Sequence, residues 1–166
     1  MNRFLTTERL RIRPITTEDS AFILELLNTP SWLRFIGDRH VYTESNAKQY
    51  IIDLQKKSGY YYNLILLQST NAPIGVISFL HRDQLPHPDL GFALLPTYEG
   101  KGYAYEAVRR YLDELILEET VDKIIAITQA DNVHAIRLLK KMEMRFEQMI
   151  DHQEVSLACY ALTLKK

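Results

Sequence analysis

Cysteine is almost missing from this 166-residue chain. Cys159 is the sole one, so no disulfide can form within it. A reducing, cytoplasmic setting is the expectation. Cys159 stands in S-L-A-C-Y-A-L with no base or basic cluster beside it, which predicts a buried thiol rather than a nucleophile. Long apolar runs are lacking too. Nothing approaches the roughly 18 residues of a membrane span, and the opening M-N-R-F-L-T-T-E-R-L-R-I-R has no apolar leader segment. Charge of one sign is also absent. Twenty Lys and Arg against 21 Asp and Glu leave a formal −1, so no broad field draws the chain to nucleic acid or to a membrane surface. His40, His81, His87, His134 and His152 never repeat at the H-x-x-x-H spacing of a zinc site, and no metal is expected.

What is present is ordinary globular material, 46% hydrophobic and 25% charged, enough for one domain over residues 1–166. Leu10 and Ile12 alternate with arginines over Arg9–Arg13, the pattern of a half-exposed first strand closed by Pro14. Thr16 and the acids behind it open a helix whose stripe is Phe22, Ile23, Leu26 and Leu27, stopped at Asn28-Thr29-Pro30. Ser31–Tyr42 has no period and reads as a loop carrying Trp32 and Phe35. A second helix starts near Thr43–Ser45. Tyr60–Gln68 and Ile74–Leu80 read as a hairpin around S-T-N-A-P, with the three tyrosines packing in the strand rather than stacking on bases. Lys123–Thr128 is a short strand, Asn132 caps a helix with stripe Ala135, Leu138, Leu139 and Met142, and Phe146–Ile150 with Val155–Leu164 finish as strands. The order β-α-α-β-β-β-α-β-α-β-β predicts a mixed α/β sheet with helices on both faces.

Glycine is scarce, six residues in all, yet two of the six stand at Gly100 and Gly102. They join a strand opened by Asp89, with Leu90, Phe92 and Leu94 alternating along it, to a helix from Ala104 with apolar positions Ala107, Val108, Tyr111, Leu112, Leu115 and Ile116. The first turn of such a helix offers free N–H groups and a positive dipole end, and glycines let a ligand reach them. That describes a phosphate site. A Walker loop, G-x-x-x-x-G-K-S/T, is excluded because Leu95 lies five before Gly100 and Gly102 follows Lys101. A Rossmann fingerprint is excluded because Tyr105 fills its third small position.

The remaining design is the coenzyme A loop. Glu99-Gly100-Lys101-Gly102-Tyr103-Ala104 resembles the Q/R-x-x-G-x-G/A loop of the GNAT N-acetyltransferases, departing at Glu99. P-x-Y-x-G-K-G-Y-A-x-E-A looks like the RimJ/RimL-type branch in particular. The opening L-T-T-E-R-L-R-I-R-P is similar to that branch's first strand. N-V-H-A-I-R-L-L-K-K-M-E-M resembles the family's second signature at Asn132, Ala135, Leu138 and Lys141. Glu143-Met144 stands where Gly-Phe is common, which implies a different turn there.

The resemblance implies a mostly antiparallel sheet splayed at a central parallel pair, with acetyl-CoA in the gap. It implies that the backbones of Phe92 and Leu94 pair with the pantetheine arm, the Leu94 N–H polarising the thioester carbonyl. The pyrophosphate would lie on the amides from Gly100 to Ala104, with Lys101 offsetting Glu99. Asn132 would touch the cofactor arm or orient the last strands. Transfer would be direct, to a primary amine on a protein N-terminus or a small molecule, with no metal. Asp89 is the candidate base, although an acid at a strand end is commonly solvated. The tyrosine many members use as acid is replaced by Leu139. Trp32 and Phe35 either line the acceptor pocket or cap the core. A non-catalytic acyl-CoA sensor of the same fold is the other reading, and a nucleotide switch is disfavoured by the failed loop spacings.

Overall fold

The structure, a computed structural model, describes residues 3–164, and its strands largely follow the alternation in the sequence. They are β1 (Leu5–Thr6), β2 (Leu10–Pro14), β3 (Tyr60–Leu67), β4 (Pro73–Leu80), β5 (Asp89–Leu94), β6 (Lys123–Thr128), β7 (Arg145–His152) and β8 (Val155–Thr163). The helices are α1 (Ser20–Leu27), α2 (Pro30–Phe35), α3 (Glu44–Lys56), α4 (Tyr103–Glu118) and α5 (Val133–Lys141). One sheet holds all eight strands in the order β1-β2-β3-β4-β5-β6-β8-β7. Every neighbouring pair is antiparallel except β5 and β6.

Two elements correct the sequence reading. A short β1 precedes the expected first strand and pairs with it through Leu5 and Ile12. The stretch read as a loop from Ser31 begins with a helix. The Thr29 hydroxyl accepts from the Trp32 N–H at 3.4 Å and Pro30 takes the first helical position, where its missing N–H costs nothing. Thr-Pro is thus the start of α2 as well as the stop after α1. At the far end of α5, Glu143 adopts a left-handed φ of 65°, the conformation that glycine accommodates best.

The sheet separates two apolar layers. On one face Tyr111, Leu112 and Leu115 of α4 and Leu139 of α5 pack on Leu10, Ile65, Phe79 and Leu90. On the other, Phe22, Ile23 and Leu26 of α1 and Ile51 of α3 pack on Leu64, Leu66 and Val76. Each fully buried leucine or isoleucine here contributes about 1.5–3 kcal/mol relative to exposure. Cys159 is 3% exposed beside Ile125, and burial pushes its thiol up, as befits an inert filler.

The entry to α1 is fixed electrostatically. Asp19 is 8% exposed and accepts from both Arg13 guanidinium nitrogens at 2.8 and 2.9 Å and from the Thr16 N–H at 2.8 Å. Burial opposes its charge, but Arg13 and Thr16 prevail and hold the carboxyl below the ordinary carboxylate value. A depressed acid stabilises the fold above its unfolded value, about 3.9, and loses that contribution as pH falls through the lower folded value. Asp19→Ala is therefore expected to cost about 1–3 kcal/mol near neutral pH. Denaturant titrations at pH 7 and in acid should show that gap narrowing as the wild-type carboxyl protonates.

Candidate active site

β5 and β6 meet at a single register pair, Asp89 with Ile125, and the Ile125 N–H donates to the Pro88 carbonyl at 2.9 Å. Backbone direction alternates along a strand. The N–H and C=O groups of Leu90, Phe92 and Leu94 therefore point toward β6, while those of Gly91 and Ala93 point toward β4. Past the single pair the strands part, leaving Phe92 and Leu94 with backbone polar groups directed into a gap. β6 stays paired with β8 over its whole length, from Lys123 with Thr163 to Thr128 with Ala158.

Asp89 sits where the strands part. Far from being solvated, it is 5% exposed. Its carboxylate accepts from Arg82 Nε at 3.0 Å, and the nearby Ile127 N–H of β6 also favours its charge. A continued parallel ladder would carry that Ile127 N–H to the Leu90 carbonyl. The Asp89 side chain competes with that carbonyl for the Ile127 N–H at the point where the strands part. Burial pushes the Asp89 carboxyl above the ordinary range, against the opposing pull of Arg82, Ile127 and His152.

The two faces of β5 differ. Phe92 and Leu94 pack toward α4, whereas Ala93 packs with the layer under α1 and α3. Asp89 and Gly91 share the Ala93 face by alternation. Tyr62, Ser78 and Gly91 lie in register across β3, β4 and β5. A Cβ at Gly91 would lie 2.5 Å from Ser78 Oγ, so the Ser78 hydroxyl occupies the space that a side chain at 91 would need.

The gap runs toward the glycine loop. Gly100 and Gly102 have φ of 73° and 83°, the left-handed region. An added Cβ at Gly100 meets no protein atom within 4 Å, so that side is open to a ligand. Glu106 is the first to donate in the α4 ladder, to the Gly102 carbonyl at 3.0 Å, which leaves the N–H groups of Tyr103, Ala104 and Tyr105 outside it. Glu106 itself would repel a phosphate, but Arg9 holds it at 2.7 Å. Arg9 also donates to the Lys101 carbonyl at 3.0 Å and lies 4.4 Å from the centre of the Tyr103 ring. Lys101 and Glu99 are exposed. Lys141 of α5 lies 4.1 Å from the centre of the Tyr105 ring, adding positive charge near this end of α4.

Other expected residues fall as follows. The Asn132 side chain caps α5, accepting from the Ala135 N–H at 3.3 Å. Trp32 is 7% exposed in the α1–α3 layer, whereas Phe35 is half-buried at the end of α2. Gln129 of the β6–α5 connection donates to the Arg34 and Phe35 carbonyls at 3.0 and 3.3 Å, tying α2 across to the far end of β6. Leu139 is 2% exposed, in the core.

Sequence reasoning passed over Arg9 and Arg82. Arg9 and Glu106 stand 97 residues apart and carry no local signal. The triple tyrosine at positions 60–62 was visible, and strand alternation puts Tyr60 and Tyr62 on the Asp89 face and Tyr61 on the other.

An open parallel pair, amides directed into it and a glycine-lined helix start make a cleft for a ligand with an extended arm and a phosphate end, the class of site used by acyl-coenzyme transferases. Comparison with known proteins agrees. The model of the Acetyltransferase (GNAT) domain matches residues 9–145. The chain is 29% identical over 143 residues to the "Uncharacterized N-acetyltransferase YnaD" of Bacillus subtilis (strain 168), covering 86% of this chain and 83% of that protein. A GNAT-family acetyltransferase structure from Bacillus anthracis superposes with a TM-score of 0.82 at 26% identity, over 99% of this chain and 100% of that one. The ribosomal-protein-S5-alanine acetyltransferase from Vibrio fischeri shares the fold, with a TM-score of 0.75 at 17% identity over 98% and 97% of the two chains. The chain belongs to the GNAT acetyltransferase family, whose acyl donor is acetyl-CoA.

Gly100→Ala separates folding from ligand approach. Left-handed strain at an alanine costs about 1–2 kcal/mol, so the variant is expected to fold with a modestly lowered Tm. Its new methyl group enters the open side of the loop, and the thermal shift given by acetyl-CoA should fall by more than half.

Proposed function

We propose that this protein moves an acetyl group from acetyl-CoA directly to a primary amine, in a ternary complex and without a metal. The observation that carries the reading is the parting of β5 from β6 after Asp89, in line with the glycine loop. In this reading the Phe92 and Leu94 backbones pair with the pantetheine arm as an added strand. The Leu94 N–H faces the thioester carbonyl and stabilises the charge that develops there. The amides from Gly100 to Ala104 hold the pyrophosphate. Glu99 stays in solvent, Lys101 offsets it, and Asn132 orders the start of α5 beside the arm. Phe35 lines the acceptor side of the cleft, and Trp32 supports it from the core.

Bound acetyl-CoA supplies an activated acyl group as a thioester. A neutral amine forms the new C–N bond as the C–S bond breaks, the sulfur leaves as thiolate, and the amine's surplus proton passes to Asp89, directly or through water. Leu139 offers no proton to the thiolate, which at a pKa near 8.5 can leave unaided. The acceptor is a protein N-terminus, as for the RimJ/RimL-type branch, or a small amine, in a cytoplasmic setting with no nucleic acid or membrane involved. The buried, proton-free Leu139 favours one second reading, an acyl-CoA sensor without turnover.

Thermal unfolding with acetyl-CoA, and with ATP and NAD as controls, tests the donor. At about 100 times Kd the ligand adds about 2.7 kcal/mol, a rise of roughly 5–11 °C for a domain of this size. A shift with acetyl-CoA alone is expected, and none with any ligand would remove the reading. Asp89→Asn keeps acceptors for Arg82 and Ile127 but cannot take a proton. Its kcat is expected to drop about 100-fold or more with little change in the KM for acetyl-CoA. A base with a raised pKa is active only above that value. The wild-type acid limb of kcat/KM should therefore lie above the ordinary carboxylate value, about 3.9, and vanish in Asp89→Asn. A sensor has no rate to lose.

A further inference from the structure

One side chain reaches across the parting of the sheet. α2 belongs to the first half of the fold, where Trp32 packs in the layer with Leu64, Val76 and Leu95. Gln129 belongs to the second half, one residue beyond β6, which is paired throughout with β8. Yet the Gln129 side-chain amide donates to the Arg34 carbonyl at 3.0 Å and to the Phe35 carbonyl at 3.3 Å. β6 is thus tied to the first half at Ile125, through Asp89, and again just past its end, through α2. The residues of β6 that part from β5 lie between these two ties.

The chemistry of the contact suits a brace. The last carbonyls of a helix find no partner within it. In α2 the Trp32 carbonyl accepts from the Ile36 and Gly37 N–H groups, both at 2.9 Å, while those of Arg34 and Phe35 fall to Gln129. An amide nitrogen carries two N–H donors, one for each carbonyl. Gln129 is itself anchored, since its own carbonyl accepts from the Asn132 N–H at 3.0 Å in the turn that opens α5. Arg34 also meets Asp131 at 3.2 Å, but both side chains are exposed and solvent screens that pair. The Arg34 guanidinium lies 4.8 Å from the centre of the Phe35 ring. Phe35 is therefore held by its main chain from one side of the parting and covered by its neighbour on the other.

We propose that Gln129 is a positioning residue for the amine acceptor. By holding the last carbonyls of α2 it fixes Phe35 in the acceptor wall and sets how far α2 stands from the end of β6. This rests on the acetyltransferase reading of the cleft, with Phe35 on its acceptor side. α2 packs on the face of the sheet opposite α4, whose start presents the coenzyme loop. Gln129 should therefore act on the acceptor and leave the donor alone.

Three variants test it. Gln129→Ala removes the brace, Gln129→Glu sets a carboxylate against the two carbonyls, and Gln129→Lys restores a donor. Thiol release is followed with peptides beginning in alanine or serine and with spermidine, taking the amine that the wild-type protein uses best. In the Ala and Glu variants the KM for that amine is expected to rise about threefold to tenfold, while the KM for acetyl-CoA stays within about twofold. Gln129→Lys should recover much of the amine KM. Trp32, the one tryptophan of the chain, reports the seat of α2 without any amine. Its quenching by acrylamide should increase in Gln129→Glu and return toward wild type in Gln129→Lys. A parallel rise in both KM values with a lowered Tm would make Gln129 merely structural. That result, an unchanged amine KM, unchanged Trp32 quenching, no recovery in Gln129→Lys, or no turnover of any of these amines while acetyl-CoA still binds would each overturn the inference and leave the donor reading standing. Absence of an acetyl-CoA thermal shift in the wild-type protein would instead sink the donor reading, and this inference with it.

Discussion

The cleft depends on one carboxylate. A parallel pair of strands gains a backbone hydrogen bond with each further register, so two such strands zip unless something stops them. Asp89 stands where they stop: the Ile127 N–H of β6 favours the charge of its side chain and Arg82 balances it. The backbone groups beyond are left facing open space, a state that a folded protein ordinarily avoids. A ligand with an amide-bearing arm relieves it. The same carboxylate is desolvated and raised in pKa.

The sheet divides labour between its faces. On the α4 and α5 side the core is apolar except for buried Asn63 and Arg3 beside Tyr111, and this layer sets the start of α4. On the α1 and α3 side the apolar layer gives way, near the point where β5 leaves β6, to the Arg82–Asp89 pair. In the proposed reading donor recognition relies on backbone, which lets one scaffold keep its coenzyme while its acceptors change.

Much of this was legible in the sequence, for physical reasons. Period and turn chemistry located β6 at Lys123–Thr128 and the buried stripe of α4, and Asn132 caps α5 as its side chain suggested. The loop between Gly100 and Gly102 was readable because left-handed backbone has a compositional cost that glycine removes. α2 was missed because Thr29-Pro30 serves as stop and start at once, and six residues are too few to show a period. The environment of Asp89 was misjudged because burial of a strand-end acid depends on Arg82, seven residues earlier, folding back over it.

Arg9 ties the edge of the sheet to the coenzyme loop through Glu106, Lys101 and Tyr103. Those contacts close a span of more than 90 residues, so the loop takes its final form only once β2 has docked. Coupling of this kind is reciprocal. A ligand that orders the loop also holds down the start of the chain, and a disturbance near residue 9 is felt at the phosphate end of the cleft. In hydrogen exchange the amides of β2 should behave as a remote gauge of whether the coenzyme is bound.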